Sequence, residues 1–417
     1  MGKLRTSIEF KLSNDIQIQN LDNIEPVYYL KSNSTNQTNL LALGSIKKLE
    51  APTFDSLGNL LNDYKDWAFG YLTFDAKNQL EKLTSENPKT HSVAPVEFHI
   101  PSVVFEWKAR KGVAYFYSNL ISEEAVLKTL TKLQQPINEV KKQTVHFTPR
   151  ITKEEYLEKI RVLKDEIQYG NIYEANFCQE FLSNDTIDPY LTFEHLTKIS
   201  PTPFSCFVKN NDFYLMCASP ERYLKNTGGH LVSEPIKGTI KRHVDPIIDQ
   251  QLKQDLLNSQ KDRNENVMIV DLVRNDLSIC AKKASVKVEE LFGIYSFPQV
   301  HQMISKVSAT LNDNLKPIDA IRSSFPMGSM TGTPKIMAMK LIEKHEAFQR
   351  GIYSGTVGYF RPNGDFDFNV VIRSLLYSSN VPALSFAVGG AITDGSDPET
   401  EYEESLLKAK AIFELFK

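Results

Sequence analysis

Residues 386–405 read FAVGGAITDGSDPETEYEES, a glycine-rich apolar stretch that runs directly into the start of a helix. Asp397 is a typical N-cap residue, and Pro398 suits the first helical position. The apolar residues that follow recur at helical spacing, namely Tyr402, Leu406, Ala409, Phe413 and Phe416. This stretch therefore predicts a glycine-rich loop followed by a final amphipathic helix.

Two carboxylates lie in the first turns of this predicted helix. Glu401 and Glu404 are three residues apart, so their side chains share one face, and Lys408 lies one turn further along it. A solvated helix surface is one interpretation. The other begins with Gly389 and Gly390, because a glycine loop and a helix N-terminus together favour an anion. A hard cation such as Mg²⁺, which takes oxygen ligands, would reconcile that anion with the carboxylates.

Two further segments hold candidate reactive groups. Glu265 lies just before an apolar run in KDRNENVMIVDLVRNDL (residues 261–277), where it is either a helix-start carboxylate or a ligand. Lys237 lies between a proline and a glycine in SEPIKGTIKR (residues 233–242). It is either a solvated charge or a nucleophile, and the second role requires a neutral amine with a lowered pKa.

Two other segments favour anion binding. The loop SSFPMGSMTGTPK (residues 323–335) contains Gly328 and polar hydroxyls, but it lacks the P-loop spacing. Arg373 lies in the apolar run FDFNVVIRSLL, which predicts a strand in which the guanidinium faces a carboxylate or a ligand. Tyr353, in a run predicted to form the neighbouring strand, is placed to contact the same anion.

The best candidate for a domain boundary is the polar segment 131–150. Before it, short apolar runs alternate with polar loops, which predicts a strand-rich N-terminal region over residues 1–145. After it, Thr152 and Glu155 form a capping box before a helical pattern. Residues 146–417 are predicted to form one compact unit.

The composition is that of an ordinary globular protein. The 417 residues carry a formal net charge of -3, which gives no basic bias toward nucleic acid or membrane surfaces. We see neither a secretory signal nor an apolar run long enough to span a bilayer, so a cytoplasmic location is expected. The cysteines occupy apolar, strand-like contexts and are expected to be reduced core thiols, namely Cys178, Cys206, Cys217 and Cys280.

Residues 150–417 resemble the chorismate-binding enzyme family. The resemblance rests on an ordered series of motifs, which are GNIYEANFCQEF, SPERYL, PIKGT, KDRNENVMIVDLVRNDL, FPMGSMTGTPK, GIYSGTVGYF, FNVVIRSLL and GGAITDGSDPETEYEES. It implies an α+β fold, in which large, mainly antiparallel sheets form a sandwich that is covered by helices. The active site would lie in a cleft.

The resemblance also implies roles for the candidate residues. Glu265, Glu401 and Glu404 would hold Mg²⁺ together with one chorismate carboxylate. The second carboxylate would be bound by Arg373 and Tyr353. The backbone would approach the substrate at Gly328, Gly389 and Gly390, and Lys408 would lie near the metal-bound carboxylate.

Three positions distinguish between family members. Lys237 occupies the place of the nucleophile in enzymes that aminate chorismate at C4, whereas anthranilate synthases usually read PIAGT. Glu174 stands where isochorismate and salicylate enzymes have a basic lysine and where other members usually carry glutamine. Gln302 stands where anthranilate synthases carry a histidine, although His301 is one residue earlier. Glu234, beside PIKGT, is a candidate general acid by the same resemblance.

The resemblance therefore implies Mg²⁺-dependent amination of chorismate at C4, which feeds 4-aminobenzoate and folate synthesis. Because no glutaminase motif surrounds any cysteine, ammonia is expected from a separate glutamine amidotransferase subunit. The alternatives are amination at C2 with loss of pyruvate, as in anthranilate synthase, and a non-catalytic chorismate-binding subunit.

Overall fold

The computed structural model describes residues 5–21, 24–136, 143–298 and 300–416. In these ranges the chain forms nine α-helices, which are α1 Phe54–Tyr64, α2 Glu123–Leu133, α3 Lys153–Gln168, α4 Pro189–Ile199, α5 Pro246–Asn258, α6 Gln260–Cys280, α7 Pro317–Ser324, α8 Lys335–His345 and α9 Pro398–Leu415.

The same ranges contain 22 strands. Those before residue 150 are β1 Thr6–Lys11, β2 Val27–Lys31, β3 Thr38–Leu43, β4 Lys47–Lys48, β5 Ala68–Leu72, β6 Val96–Ile100, β7 Val103–Lys108, β8 Lys111–Phe116 and β9 Thr148–Pro149. Those after it are β10 Glu174–Ser183, β11 Phe204–Asn210, β12 Phe213–Ser219, β13 Arg222–Thr227, β14 His230–Glu234, β15 Ile236–Lys241, β16 Lys287–Ser296, β17 Val300–Thr310, β18 Gly332–Thr333, β19 Thr356–Phe360, β20 Phe366–Asn369, β21 Ser374–Ser378 and β22 Ala383–Ile392.

These strands form two large sheets. The 12-stranded sheet has the order β1-β8-β7-β3-β2-β11-β12-β21-β22-β10-β18, and β9 pairs with β10. The 10-stranded sheet has the order β15-β17-β14-β13-β20-β19-β5-β6-β4, and β16 pairs with β17. Every strand pairing among the described residues is antiparallel.

The two sheets pack against each other through buried apolar side chains. One cluster joins Tyr28 and Leu215 of the first sheet to Phe69 and Val357 of the second. Successive strand residues point to opposite faces of a sheet. The outer faces of both sheets also carry apolar side chains, which pack against helices. Helices α2, α4 and α9 cover the first sheet, and α1, α6 and α7 cover the second. The predicted α+β sandwich covered by helices is therefore confirmed.

Side-chain capping interactions mark the starts of two predicted helices. The Thr152 hydroxyl accepts a hydrogen bond from the Glu155 amide, and the Glu155 carboxylate accepts one from the Thr152 amide, so the predicted capping box at α3 is confirmed. Asp397 caps α9 by accepting from the Thr400 amide, and Pro398 opens that helix as predicted. Residues 261–277 lie inside α6, which places Glu265 in its second turn.

Strands from the two predicted regions are interleaved. β2 pairs with β11 in one sheet, and β5 pairs with β19 in the other. Residues 137–142, inside the expected boundary, lie outside the described residues. The division between residues 1–145 and 146–417 stays a prediction.

All four cysteines are buried free thiols, as expected. Cys280 ends helix α6, so its predicted strand context is wrong. In the part of the chain that the structure describes, no helix is long and apolar enough to cross a membrane. The cytoplasmic location stays a prediction.

Candidate active site

A cleft with a volume of about 120 Å³ lies where β15, β22, α6 and α9 meet. Its lining is rich in charged side chains, which are Glu221, Lys237, Lys261, Asp262, Glu265, Arg373, Glu404 and Lys408. Tyr353, Gly389 and Gly390 also line it. The structure thus brings most of the residues predicted for the site into one cavity.

The three predicted metal ligands converge on a lysine. The Nζ atom of Lys261 lies 2.8 Å from Glu401, 3.7 Å from Glu404 and 3.9 Å from Glu265. Lys261 and Glu265 are one turn apart on α6, while Glu401 and Glu404 are neighbours on α9. Two helices therefore bring three carboxylates around a single ammonium group.

The chemistry of these donors fits Mg²⁺, which prefers carboxylate oxygens. Glu265 Oε1 is buried without a hydrogen-bond partner, and burial raises the pKa of this carboxyl to about 7. Across the described ranges, however, no three His, Cys, Asp or Glu side chains already form an arrangement that could hold a metal ion. The predicted ligands are close together, but their carboxylates now surround Lys261.

Lys408 and the glycines of β22 border this cluster. The Lys408 ammonium lies 2.9 Å from Glu404 and donates a 3.0 Å hydrogen bond to the carbonyl of Gly389. Lys408 is the main reason why the pKa of Glu404 falls to about 2. A Cβ at Gly390 would lie 3.4 Å from Lys408 Nζ and 3.5 Å from Glu401 Oε2. Gly390 therefore keeps the space beside the carboxylates open.

Lys237 forms a buried ion pair with Glu174. Its Nζ lies 2.6 Å from Glu174 Oε1, and the two side chains are 8% and 0% exposed. Burial alone would lower the pKa of Lys237, but the charges of Glu174 and Glu265 outweigh burial and raise it. The lowered pKa that a nucleophile needs is therefore absent, and the structure holds Lys237 as an ammonium ion next to a proton acceptor.

Arg373 and Tyr353 line the cleft, but neither lies in a strand as predicted. Arg373 precedes β21 with a φ of 51°, a left-handed conformation that non-glycine residues rarely adopt outside functional or strained sites. Tyr353 lies in the turn before β19. Burial lowers the pKa of Arg373 to about 10, which still leaves it cationic at neutral pH. The charge of the nearby Glu221 opposes this lowering of the pKa, but among the described residues no carboxylate lies within ion-pair distance of the guanidinium, so it is available to an anion.

Glu221 is a pocket residue that the sequence reasoning missed. It is 4% exposed, lines the cleft, and lies in the SPERYL motif just before β13. Burial raises the pKa of Glu221 to about 7, against the influence of Lys237. The SPERYL motif is visible in the sequence, but nothing local in it indicates that this carboxyl faces the cavity.

Glu401 contacts Lys261 without lining the cleft, and two predicted site residues lie away from both the cleft lining and the carboxylate cluster. Glu234 is absent from the cleft lining and pairs with Arg222, which borders a separate cavity of about 480 Å³. Gly328 is also outside the lining, and a Cβ there would lie 2.9 Å from Leu272. Gly328 thus permits close packing of its loop on α6, while its neighbour Ser329 reaches the cleft.

His301 and Gln302 are neighbours in strand β17, but their side chains lie on opposite faces of it. Gln302 lines the cleft, whereas His301 contacts Asp249 at 3.1 Å and Ser296 at 2.8 Å. Adjacent strand residues point to opposite faces, which explains the difference. His301 therefore does not substitute for the histidine that the resemblance places at position 302 in anthranilate synthases.

Comparison with known proteins agrees with the family resemblance of the motif series. A family model described as chorismate binding enzyme matches residues 8–414. Aminodeoxychorismate synthase component 1 of Salmonella typhimurium is 37% identical over 289 residues, which are 69% of this chain and 63% of that protein. The protein of the same name from Klebsiella aerogenes is 32% identical over 353 residues, which are 83% of this chain and 76% of that protein.

A solved structure supports the fold. The crystal structure of anthranilate synthase component I from Streptococcus pneumoniae TIGR4 matches with a TM-score of 0.78 and 22% sequence identity, over 99% of this chain and 92% of that one. At this identity the likeness concerns the fold alone. The motif series, the antiparallel sandwich, the charged cleft and the family match over residues 8–414 together show that this chain belongs to the chorismate-binding enzyme family.

Proposed function

We propose that this chain aminates chorismate at C4 and forms 4-amino-4-deoxychorismate, the precursor of 4-aminobenzoate. The observation that carries this proposal is the Lys237 amine, which lines the charged cleft and contacts Glu174 at 2.6 Å. The relatives named aminodeoxychorismate synthase component 1 support the same reaction. The non-catalytic alternative is disfavoured because Lys237 shares one cleft with Glu265, Glu404 and Arg373.

The charges of the cleft suit a substrate with two carboxylates. Arg373, which lacks an ion-pair partner among the described residues, would bind one of them, with the hydroxyl of Tyr353 nearby. The other would lie near Glu265, Glu401 and Glu404, which would hold Mg²⁺. A bound Mg²⁺ would supply the positive charge that keeps this second carboxylate beside acidic side chains.

The reaction then requires one nucleophile, one acid and one proton acceptor. Lys237 passes a proton to Glu174 and attacks C2 of chorismate. The ring double bonds shift, and the C4 hydroxyl leaves as water with a proton from Glu221. Ammonia next adds at C4, the double bonds return, and the C2–Nζ bond breaks. Lys237 recovers its proton from Glu174, and the new amine returns one to Glu221.

The assignment of Glu221 as the acid follows from its position and its pKa. A carboxyl with a pKa of about 7 is partly protonated at neutral pH, as a general acid must be. Glu221 replaces Glu234 in this role because Glu234 does not line the cleft. Gln302, rather than a histidine, occupies the cleft wall, which favours C4 amination over the anthranilate synthase reaction.

Ammonia is expected to come from a separate glutamine amidotransferase subunit. None of the four cysteines has the Gly-x-Cys-x-Gly surroundings of a glutaminase nucleophile, and all four are buried. The relatives are named component 1, which agrees with the existence of a second component.

The test is turnover of chorismate by the purified chain with Mg²⁺ and an ammonium salt, followed by chromatography of the product. We expect 4-amino-4-deoxychorismate from the wild type and a loss of it in Lys237→Ala. Lys241→Ala, which changes an exposed lysine on the same strand, is the matched control. Anthranilate or isochorismate as the main wild-type product would contradict the proposal.

A further inference from the structure

The ammonium of Lys261 occupies the centre of the acidic cluster. It is the shared partner of Glu265, Glu401 and Glu404, at distances between 2.8 and 3.9 Å. Glu401 is 1% exposed and also accepts a 2.8 Å hydrogen bond from Ser396, so this carboxylate is fixed in place. The Lys261 side chain is 40% exposed, so it has a path to solvent.

We propose that Lys261 is a built-in counter-cation that keeps the three carboxylates together without a metal and must leave when Mg²⁺ binds. This inference rests on the proposed metal dependence of the function. It assigns to Lys261 a role as a positioning residue that lowers the affinity of the site for Mg²⁺.

Charge balance supports an exchange of cations. When all three carboxylates are ionised, Lys261 and Lys408 neutralise two of the three negative charges. If Mg²⁺ takes the place of Lys261, the dication and Lys408 neutralise all three. If both cations stayed in the substrate-free protein, the cluster would carry excess positive charge in a partly buried space, which is unfavourable.

Geometry also opposes simultaneous occupancy. Mg²⁺ gathers its oxygen ligands at ~2.0–2.1 Å, so the carboxylates must move in toward a single point. That point lies between oxygens that now surround Lys261 Nζ. Glu265 Oε1, in a side chain that is 9% exposed, is a buried acceptor without a hydrogen-bond partner, and Lys261 at 3.9 Å is too far away to donate to it. A metal would supply the missing contact.

The experiment measures Mg²⁺ binding directly by isothermal titration calorimetry, without substrate. One unit charge at ~4–6 Å typically changes the affinity for a proton by about 1–3 log units, so we expect Lys261→Met to bind Mg²⁺ at least about tenfold more tightly than the wild type. Lys261→Arg keeps the charge and should not gain affinity.

A matched control is Lys153, the first residue of α3. Lys153 pairs with Glu399 at 2.7 Å and with Glu403 at 3.9 Å, a similar lysine between two carboxylates of α9. Lys153→Met should leave the Mg²⁺ affinity unchanged. Thermal unfolding of the metal-free proteins gives a second readout, in which Lys261→Met should melt below the wild type and recover the difference when Mg²⁺ saturates the site.

An unchanged or weaker Mg²⁺ affinity in Lys261→Met would overturn the inference, as would an equal gain in Lys261→Arg. If the wild type aminates chorismate fully in excess EDTA, the proposed metal dependence fails instead, and the inference about Lys261 fails with it. The calorimetric comparison and the EDTA assay therefore separate the two failures.

Discussion

Replacing Glu221 with glutamine should stabilise the protein at alkaline pH while damaging catalysis. The carboxyl is 4% exposed, and burial raises its pKa from 4.5 to about 7. Between these two values the native state holds a proton that the unfolded chain has released, so the free energy of unfolding falls as the pH rises. Glutamine is neutral at every pH and avoids this loss.

The size of the effect follows from the pKa shift. A shift of roughly 2.5 pKa units corresponds to about 3 kcal/mol at 1.36 kcal/mol per unit. Ionisation of Glu221 destabilises the wild type by this full amount only above the pKa that the carboxyl has in the folded protein. At about pH 5 the destabilisation is about 1 kcal/mol. The stability advantage of Glu221→Gln over the wild type should therefore grow by about 2 kcal/mol between about pH 5 and about pH 8.5.

Urea unfolding at these two pH values measures the difference, with kcat for 4-amino-4-deoxychorismate formation measured beside it. We expect activity to fall by about 10²–10⁴-fold, which is typical for loss of a general acid. Glu158→Gln, an exposed carboxylate on α3, should change stability by less than about 0.5 kcal/mol at both pH values. If Glu221→Gln changes the free energy of unfolding equally at both pH values, the argument that the buried carboxyl has a raised pKa is refuted. Full activity of this variant would refute the role of Glu221 as the general acid.

Three further predictions concern the same cleft. Glu404→Ala should abolish turnover and keep a wild-type circular dichroism spectrum, because it removes a 41% exposed side chain at the cleft and no core packing; full activity would refute its role. Lys237→Arg should lose product formation as severely as Lys237→Ala in the chromatographic assay, because it keeps the charge but not the nucleophile; full activity would make Lys237 a binding residue. The purified chain should aminate chorismate with ammonium but not with glutamine, and glutamine-dependent product from the chain alone would refute the need for a partner.

The parts of the site that the sequence predicted are those with local patterns. The spacing of Glu401, Glu404 and Lys408 follows from helical periodicity, and the Lys408–Glu404 contact at 2.9 Å confirms that they share a face. The Asp397 cap and the Thr152 capping box are equally local. Such features need only a few neighbouring residues to be recognised.

The missed or misplaced features depend on distant packing. The Lys237–Glu174 pair joins residues 63 positions apart, and Lys261 meets Glu401 across 140 positions. Arg373 lies in an apolar run that resembles a strand, but the chain adopts a left-handed conformation there before β21 begins. Glu234 is next to PIKGT in sequence, yet its strand directs it toward Arg222. A single sequence carries no signal for these contacts.

The most direct test of the proposed function is the position at which nitrogen enters the ring. The wild-type chain would be incubated with chorismate, Mg²⁺ and ¹⁵N-ammonium, and the product would be examined by NMR for coupling between ¹⁵N and ring carbons. The nucleophilic role of Lys237 at C2 predicts that the label is attached to C4, in 4-amino-4-deoxychorismate. A label attached to C2, whether in a ring adduct or in anthranilate, would contradict it.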